Sequence, residues 1–338
     1  MTSYFIRRLL LIIPTFIGIT LMVFVITRFV PGGPIERILM ESQMGGDRGG
    51  MRAEFGRSVL SEDQLQQLRE YYGFDKPVIM SYLQWVRKIL VLDLGYSTRY
   101  NEPVWQTIKE RLPVSIFYGL VTMVLTYIIC IPLGVLKAIR HNSPIDHITS
   151  FFVFTGYAVP GFVVGILLLI LFASTWEIFP LGGFIGDDFD ELGFFGKIGD
   201  LFRHAALPLL AYLSGSFAVM TFIMKNSLLE NLAADYVRTA IAKGVPFRRA
   251  AFRHALRNSL IPVATTFGEN ISFFLTGAFL IEKVFNIDGF GLLGYESLVD
   301  RDYPVVMGIL AISAFLYLLG NILSDFCVAL VDPRVKFE

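Results

Sequence analysis

Six mostly apolar stretches, at about 9–30, 113–136, 148–174, 206–224, 259–281 and 304–324, constrain this chain more than any other feature. The last can run on to Val331. A helix rising about 1.5 Å per residue crosses about 30 Å of hydrocarbon in roughly 20 residues, and each stretch is of that order. Inside lipid no water satisfies the backbone, so such stretches fold as helices whose N–H and C=O groups bond within the segment. Charge inside them is limited to Arg28 near one end of the first and Glu269 within the fifth. With 54% hydrophobic and 17% charged residues, the composition agrees. The expected fold class is an all-α polytopic membrane protein with six transmembrane helices.

Arg7 and Arg8 ahead of the first apolar run imitate a signal peptide, but no Ala-x-Ala-like cleavage site follows, so the run reads as a retained span. An even number of spans puts both termini on one side. The positive-inside rule chooses that side. Between the fourth and fifth stretches lie Lys225, Arg238, Lys243, Arg248, Arg249, Arg253 and Arg257 against Glu230 and Asp235, which marks this loop as cytoplasmic. Arg7, Arg8, Lys137, Arg140, Arg334 and Lys336 fall with it. The loop at 175–205 is acidic, as is the one at 282–303, so both belong outside and both termini are cytoplasmic.

These assignments divide the chain into a first helix at 1–31, an extracytoplasmic segment at 32–112 and a helical core at 113–338. The middle segment opens with Gly45, Gly46, Gly49 and Gly50 among mixed charges. An amphipathic helix is expected over 61–72, with Ser61 as N-cap and Gly73 as stop, and a second over 78–92 after Pro77.

Covalent chemistry finds no support. The chain contains no GxxxxGK[ST], HExxH or GxSxG motif and no cysteines at metal spacing, so no catalytic, cofactor-binding or metal site is expected in it. Cys130 and Cys327 lie in apolar runs and read as packing residues. His141, His147, His204 and His254 read as polar residues at membrane edges or in loops. A net charge of zero argues against a nucleic-acid partner, which would require a basic surface.

The informative segment is 235–262, DYVRTAIAKGVPFRRAAFRHALRNSLIP. Its pattern gives a short helix to about Lys243, a turn at Gly244 and a second basic helix from Phe247 back toward the bilayer. Ala240 and Gly244 share a face without bulk, open to close approach by a partner. On charge alone the segment is an ordinary basic loop.

In detail it resembles the EAA loop of binding-protein-dependent ABC importer permeases, in the dipeptide and oligopeptide branch. Ala240 and Gly244 stand at that pattern's alanine and glycine, whereas Arg238 and Thr239 replace its glutamate and first alanine, and Arg257 stands where proline is frequent. The likeness extends along the chain: YFIRRLLLIIPT at 4–15, FVPGGP at 29–34, YGFDKP at 72–77, DLGYS at 93–97, RLPVSI at 111–116, IPLG at 131–134, GYAVPGF at 156–162 and GFGLLGYESLVDRDYPVVMG at 289–308. The ending LVDPRVKFE at 330–338 adds a similarity to the Yej-type permeases of peptides and of the peptide-nucleotide microcin C.

The resemblance implies a type I ABC importer permease fold in the bacterial inner membrane and a coupling loop at about 226–260. It implies docking to the ATPase through Arg238, Thr239, Ala240, Lys243, Gly244, Arg248, Arg249, His254 and Arg257. The implied partners are a second, homologous permease forming a heterodimer, ATPase subunits as one fused chain or two carrying ATP and Mg, and a periplasmic or extracellular peptide-binding protein. Peptide crosses by alternating access.

Further residues fit that frame. Pro132 and Pro160 are expected to interrupt the second and third spans, as static kinks or as hinges. Tyr157, Pro160, Glu269 and Asn270 are candidates for the substrate path or gate. An ionisable group such as Glu269 avoids lipid, so it faces a cavity, or it lies at the membrane edge against a neighbouring helix. Phe285, Phe290 and Tyr295 are candidate contacts for the binding protein, as an apolar ridge among Gly289, Gly291 and Gly294. Two rival classes were weighed: a proton-coupled secondary transporter calls for internal repeats or several buried acids, and a membrane enzyme calls for paired acids or a nucleophile at depth.

Overall fold

The structure is a computed structural model that describes residues 2–29, 76–268, 270 and 277–331. The helix expected at 61–72, the glycines at 45–50 and Glu269 lie outside the described residues. Helices follow in the order α1 Thr2–Phe29, α2 Val78–Leu90, α3 Val104–Ile139, α4 Pro144–Ala158, α5 Gly161–Leu168, α6 Phe194–Ala233, α7 Asp235–Ala242, α8 Phe247–Ala250, α9 Leu256–Thr265, α10 Phe279–Val284, α11 Phe290–Val299 and α12 Tyr303–Val331. π-Helical turns at Leu169–Thr175 and Ala251–Ala255 extend α5 and join α8 to α9.

Among the described residues four helices, α1, α3, α6 and α12, are long and apolar enough to cross a membrane alone. The third stretch is no single helix: α4 and the segment Gly161–Thr175 meet at 98°. Val159 and Pro160 are both extended there, and Pro160, lacking an N–H, begins the next helix instead of continuing the last. Counting this pair as one span gives up to five, and the fifth apolar stretch lies partly outside the described residues. The expected interruption at Pro132 does not occur, because α3 continues through both Pro113 and Pro132. In a bundle, neighbouring groups can take up the carbonyl that a proline frees.

The chain forms two compact units. The first comprises Met1–Ile12, Arg111–Leu292 and Phe315–Glu338. One of its cores gathers Cys130, Val135, Met224, Leu228, Val237, Ala250 and Val263, and another gathers Tyr118, Tyr212, Phe285 and Ile287. Glycine permits a close crossing: a Cβ on Gly134 would lie 2.6 Å from the Met224 Cβ, so its absence lets α3 and α6 approach. Arg8 pairs with Asp325, and the Ser324 hydroxyl donates to the Thr265 carbonyl at 2.7 Å.

The second unit comprises Ile13–Glu110 and Leu293–Ala314. Here α2 lies against α1, with the Tyr82 hydroxyl donating to the Ile17 carbonyl at 2.9 Å and the Phe24 ring edge-on to Tyr82 at 5.7 Å. The chain at 91–103 is fastened to α11 and the turn that leads into α12: Ser97 donates to Asp302, and Arg99 reaches Asp300 and, at 3.0 Å, Glu296.

Helix α6 has 40 residues, about 60 Å of rise, roughly twice what hydrocarbon requires. The fourth stretch, expected at 206–224, is its middle. Its last turns carry the chain past the apolar region and into α7.

Candidate functional site

Helices α7 and α8 form a knob at the end of α6. Helix α7 stops at Gly244, whose φ of +88° only glycine adopts without strain. The Gly244 N–H donates to the Ile241 carbonyl at 2.9 Å and the Val245 N–H to the Ala240 carbonyl at 3.1 Å, the paired bonds of a Schellman cap. Pro246 then starts α8. The knob is rooted by buried Val237, Ala250 and Ala255 in the core around Leu228. Polar bonds add to this: Tyr236 donates to Asn231 at 2.6 Å, Asn258 to Tyr236 at 3.1 Å and Ser259 to the Ser227 carbonyl at 3.3 Å.

Opposite that root the knob is bare. Arg238, Thr239, Lys243, Gly244, Arg248, Arg249, His254 and Arg257 are all exposed, and Ala240 is half-buried. Pro246, Arg248, Arg249 and Phe252 line an open cleft of about 410 Å³. A Cβ at Gly244 would meet nothing within 4 Å. The sequence-predicted residues of this segment are therefore exposed apart from Ala240, most of them are basic, and Arg257 also donates to the Val331 carbonyl at 3.3 Å.

A second feature is a cavity of about 480 Å³ lined by α6 through Tyr212, Gly215, Ser216 and Val219, with Thr126, Phe162, Asn270 and Ile281 among its other walls. The α6 positions recur every three to four residues, so one helical face forms the wall. The lining that the structure gives contains no charged residue. Of the path candidates, Asn270 lines the cavity and its amide donates to the Tyr127 hydroxyl at 3.2 Å. Tyr157 and Pro160 are exposed and outside the lining, although Gly161, next to Pro160, belongs to it.

The ridge expected for a binding protein is corrected. Phe285 and Phe290 are 2% and 1% exposed, and a Cβ on Gly165 would come within 2.9 Å of the Phe285 ring. The large aromatic rings of this stretch are driven into the core, and Tyr295 alone of the three is exposed.

Two buried polar clusters escaped the sequence. Glu282, 1% exposed, accepts the Leu292 N–H at 2.6 Å, the Ser115 hydroxyl at 3.0 Å and the Tyr212 hydroxyl at 3.4 Å. Ser115 in turn accepts the Phe290 N–H at 2.8 Å. Burial outweighs these donors and pushes the Glu282 carboxyl up to about 6. In the other, Asp146 takes Lys137 at 3.0 Å and Lys225 at 2.8 Å, tying α3, α4 and α6 together. Lys137 also donates to Ser150 at 2.7 Å, and this charge is wholly buried. No group of histidine, cysteine, aspartate or glutamate among the described residues could hold a metal ion.

Residues 130–337 match the family described as "Binding-protein-dependent transport system inner membrane component". The chain is 39% identical over 360 residues to the "Peptidoglycan transport system permease protein YejB" of Agrobacterium fabrum, covering 100% of this chain and 99% of that protein. It is 39% identical over 362 residues to the "Inner membrane ABC transporter permease protein YejB" of Escherichia coli, with 100% of each covered. It is 36% identical over 338 residues to the "Oligopeptide transport system permease protein AppB" of Bacillus subtilis, again with 100% of each covered.

Proposed function

The chain belongs to the family of binding-protein-dependent transport system inner membrane components, and from that membership we propose that it is one permease of an ATP-driven importer of peptides. The observation that carries this reading is the basic knob at 235–257, rigidly capped at Gly244, rooted in the helical core and open on its outer face. A projection of that kind fits a groove on a separate motor subunit, where its arginines meet acidic groups. ATP and Mg belong to that motor, fused or paired. This chain has no phosphate-binding loop of its own.

The positive-inside rule supports a cytoplasmic knob and cytoplasmic termini. On that orientation a binding protein delivers substrate from outside, and Tyr295, exposed in the loop that the positive-inside rule places there, is its candidate contact. The cavity beside α6, uncharged among the described residues, is this subunit's share of the path, completed by a second, homologous permease. Closure of the motor moves the knob, and the bend at Pro160 gives the third apolar segment two halves that can change angle. Access then alternates between the two sides.

Peptides are the substrate class that the oligopeptide relative's name supports. Peptidoglycan transport is a narrower reading, supported by the Agrobacterium relative's name. Extension to microcin C-like peptide-nucleotides rests on the likeness of the sequence to Yej-type permeases.

Gly244→Arg tests the reading. Bulk and backbone strain at the cap displace the docking face, so membrane insertion survives while peptide uptake and copurification of the ATPase are lost. Normal uptake by this variant contradicts the proposed role of the knob.

A further inference from the structure

Gly215 lies at the middle of α6 on the cavity wall, one helical turn before Val219, and both are exposed. Glycine inside a helix costs about 1 kcal/mol relative to alanine, so a reason for it is sought in contacts or backbone. The fold supplies none. Its backbone is not in the left-handed region, and a Cβ there would meet nothing within 4 Å. Gly161, across the same cavity, differs: its Cβ would strike the Ala211 carbonyl oxygen at 2.7 Å, so it is required for helices to touch.

We propose that Gly215 sets the calibre of the path and so the bulk of the side chains this permease passes. The proposal rests on the import reading above and deepens it. Among the described residues the lining carries hydroxyls, an amide, aromatic rings and aliphatic groups and no charge, so the discrimination these groups exert is by bulk. A Cβ at 215 has open space around it on the cavity wall, so a larger side chain there narrows the route at the level of Tyr212, Ser216 and Val219.

The test uses the complete transporter in sealed vesicles, with trialanine and tritryptophan as probes. Variants are Gly215→Ala, Gly215→Leu and, as a control on the same helix, Gly199→Leu, whose Cβ is equally unobstructed but lies off the cavity. The expected result is a ratio of trialanine to tritryptophan uptake that rises stepwise, reaching about tenfold for Gly215→Leu, with Gly199→Leu unchanged. An unchanged ratio in Gly215→Leu overturns the calibre role and leaves the import reading standing. The same holds if both probes fall equally because the second permease no longer assembles, which would assign the open face to subunit packing. Failure of the unaltered transporter to take up either peptide overturns the import reading and this inference together.

Discussion

Lys225 Nζ lies 2.8 Å and 2.9 Å from the two carboxylate oxygens of Asp146, joining the long helix that feeds the knob to the first turn of α4. Lys137 completes the cluster from α3. Removing one member of a buried ion pair leaves its partner uncompensated, at a cost of about 3–5 kcal/mol. Asp146→Ala strands two buried ammonium groups and is expected to lower thermal stability in detergent by that order. Replacing Asp146, Lys137 and Lys225 together by leucine or methionine should recover most of the loss. Fluorescence-detected size exclusion after heating checks both, and a triple variant no better than Asp146→Ala contradicts the pairing argument.

Glu282 supplies a pH dependence. Its carboxyl stands at about 6 against an ordinary 4.5, because burial outweighs the donors of Leu292, Ser115 and Tyr212. A raised folded-state value means that the native protein holds the proton more tightly. The associated stability is fully present below pH 4.5 and is lost as pH rises through about 6. The difference corresponds to about 2 kcal/mol. Thermal stability is expected to be higher at pH 5 than at pH 7.5, and Glu282→Gln should flatten the Glu282 share of that profile. An identical profile in the variant removes Glu282 as its source.

Gly134 is a steric requirement. A Cβ there falls 2.6 Å from the Met224 Cβ and 2.9 Å from the Thr221 carbonyl, positions that real atoms do not occupy. Gly134→Leu forces α3 and α6 apart and is expected to cost on the order of 3 kcal/mol or to abolish accumulation in the membrane. Pulse-chase of the inserted protein reads this, and wild-type levels with wild-type melting would show that the crossing is looser than drawn.

What was legible in the sequence was what local spacing encodes. The run RTAIAKGVPF announces a helix, a glycine stop and a proline restart, and the structure has them at Asp235–Ala242, Gly244 and Phe247. Helix α2 and the last apolar helix also lie close to where the patterns put them. Prolines were ambiguous, since Pro132 is absorbed by α3 whereas Pro160 follows an extended Val159 and breaks the span.

Long-range polar pairing was not legible. Glu282 read as one more acid in a loop, because Tyr212 and Ser115 stand 70 and 167 residues away. The positive-inside rule gives the side of Lys137 and nothing of its partners, Asp146 and the hydroxyls of Thr149 and Ser150, which enclose it. Phe285 and Phe290 read as an apolar ridge because glycines at 289, 291 and 294 permit tight turns there, yet both rings are buried where the fold offers a wall.

The most direct measurement is site-specific crosslinking from Arg248→Cys, with Cys130 and Cys327 replaced, in sealed inverted and right-side-out vesicles of the assembled transporter. The account predicts labelling from the cytoplasmic face only, a crosslink to the ATPase subunit, and loss of peptide uptake once that crosslink forms. Labelling from the outer face, or undiminished uptake with the crosslink in place, would contradict it.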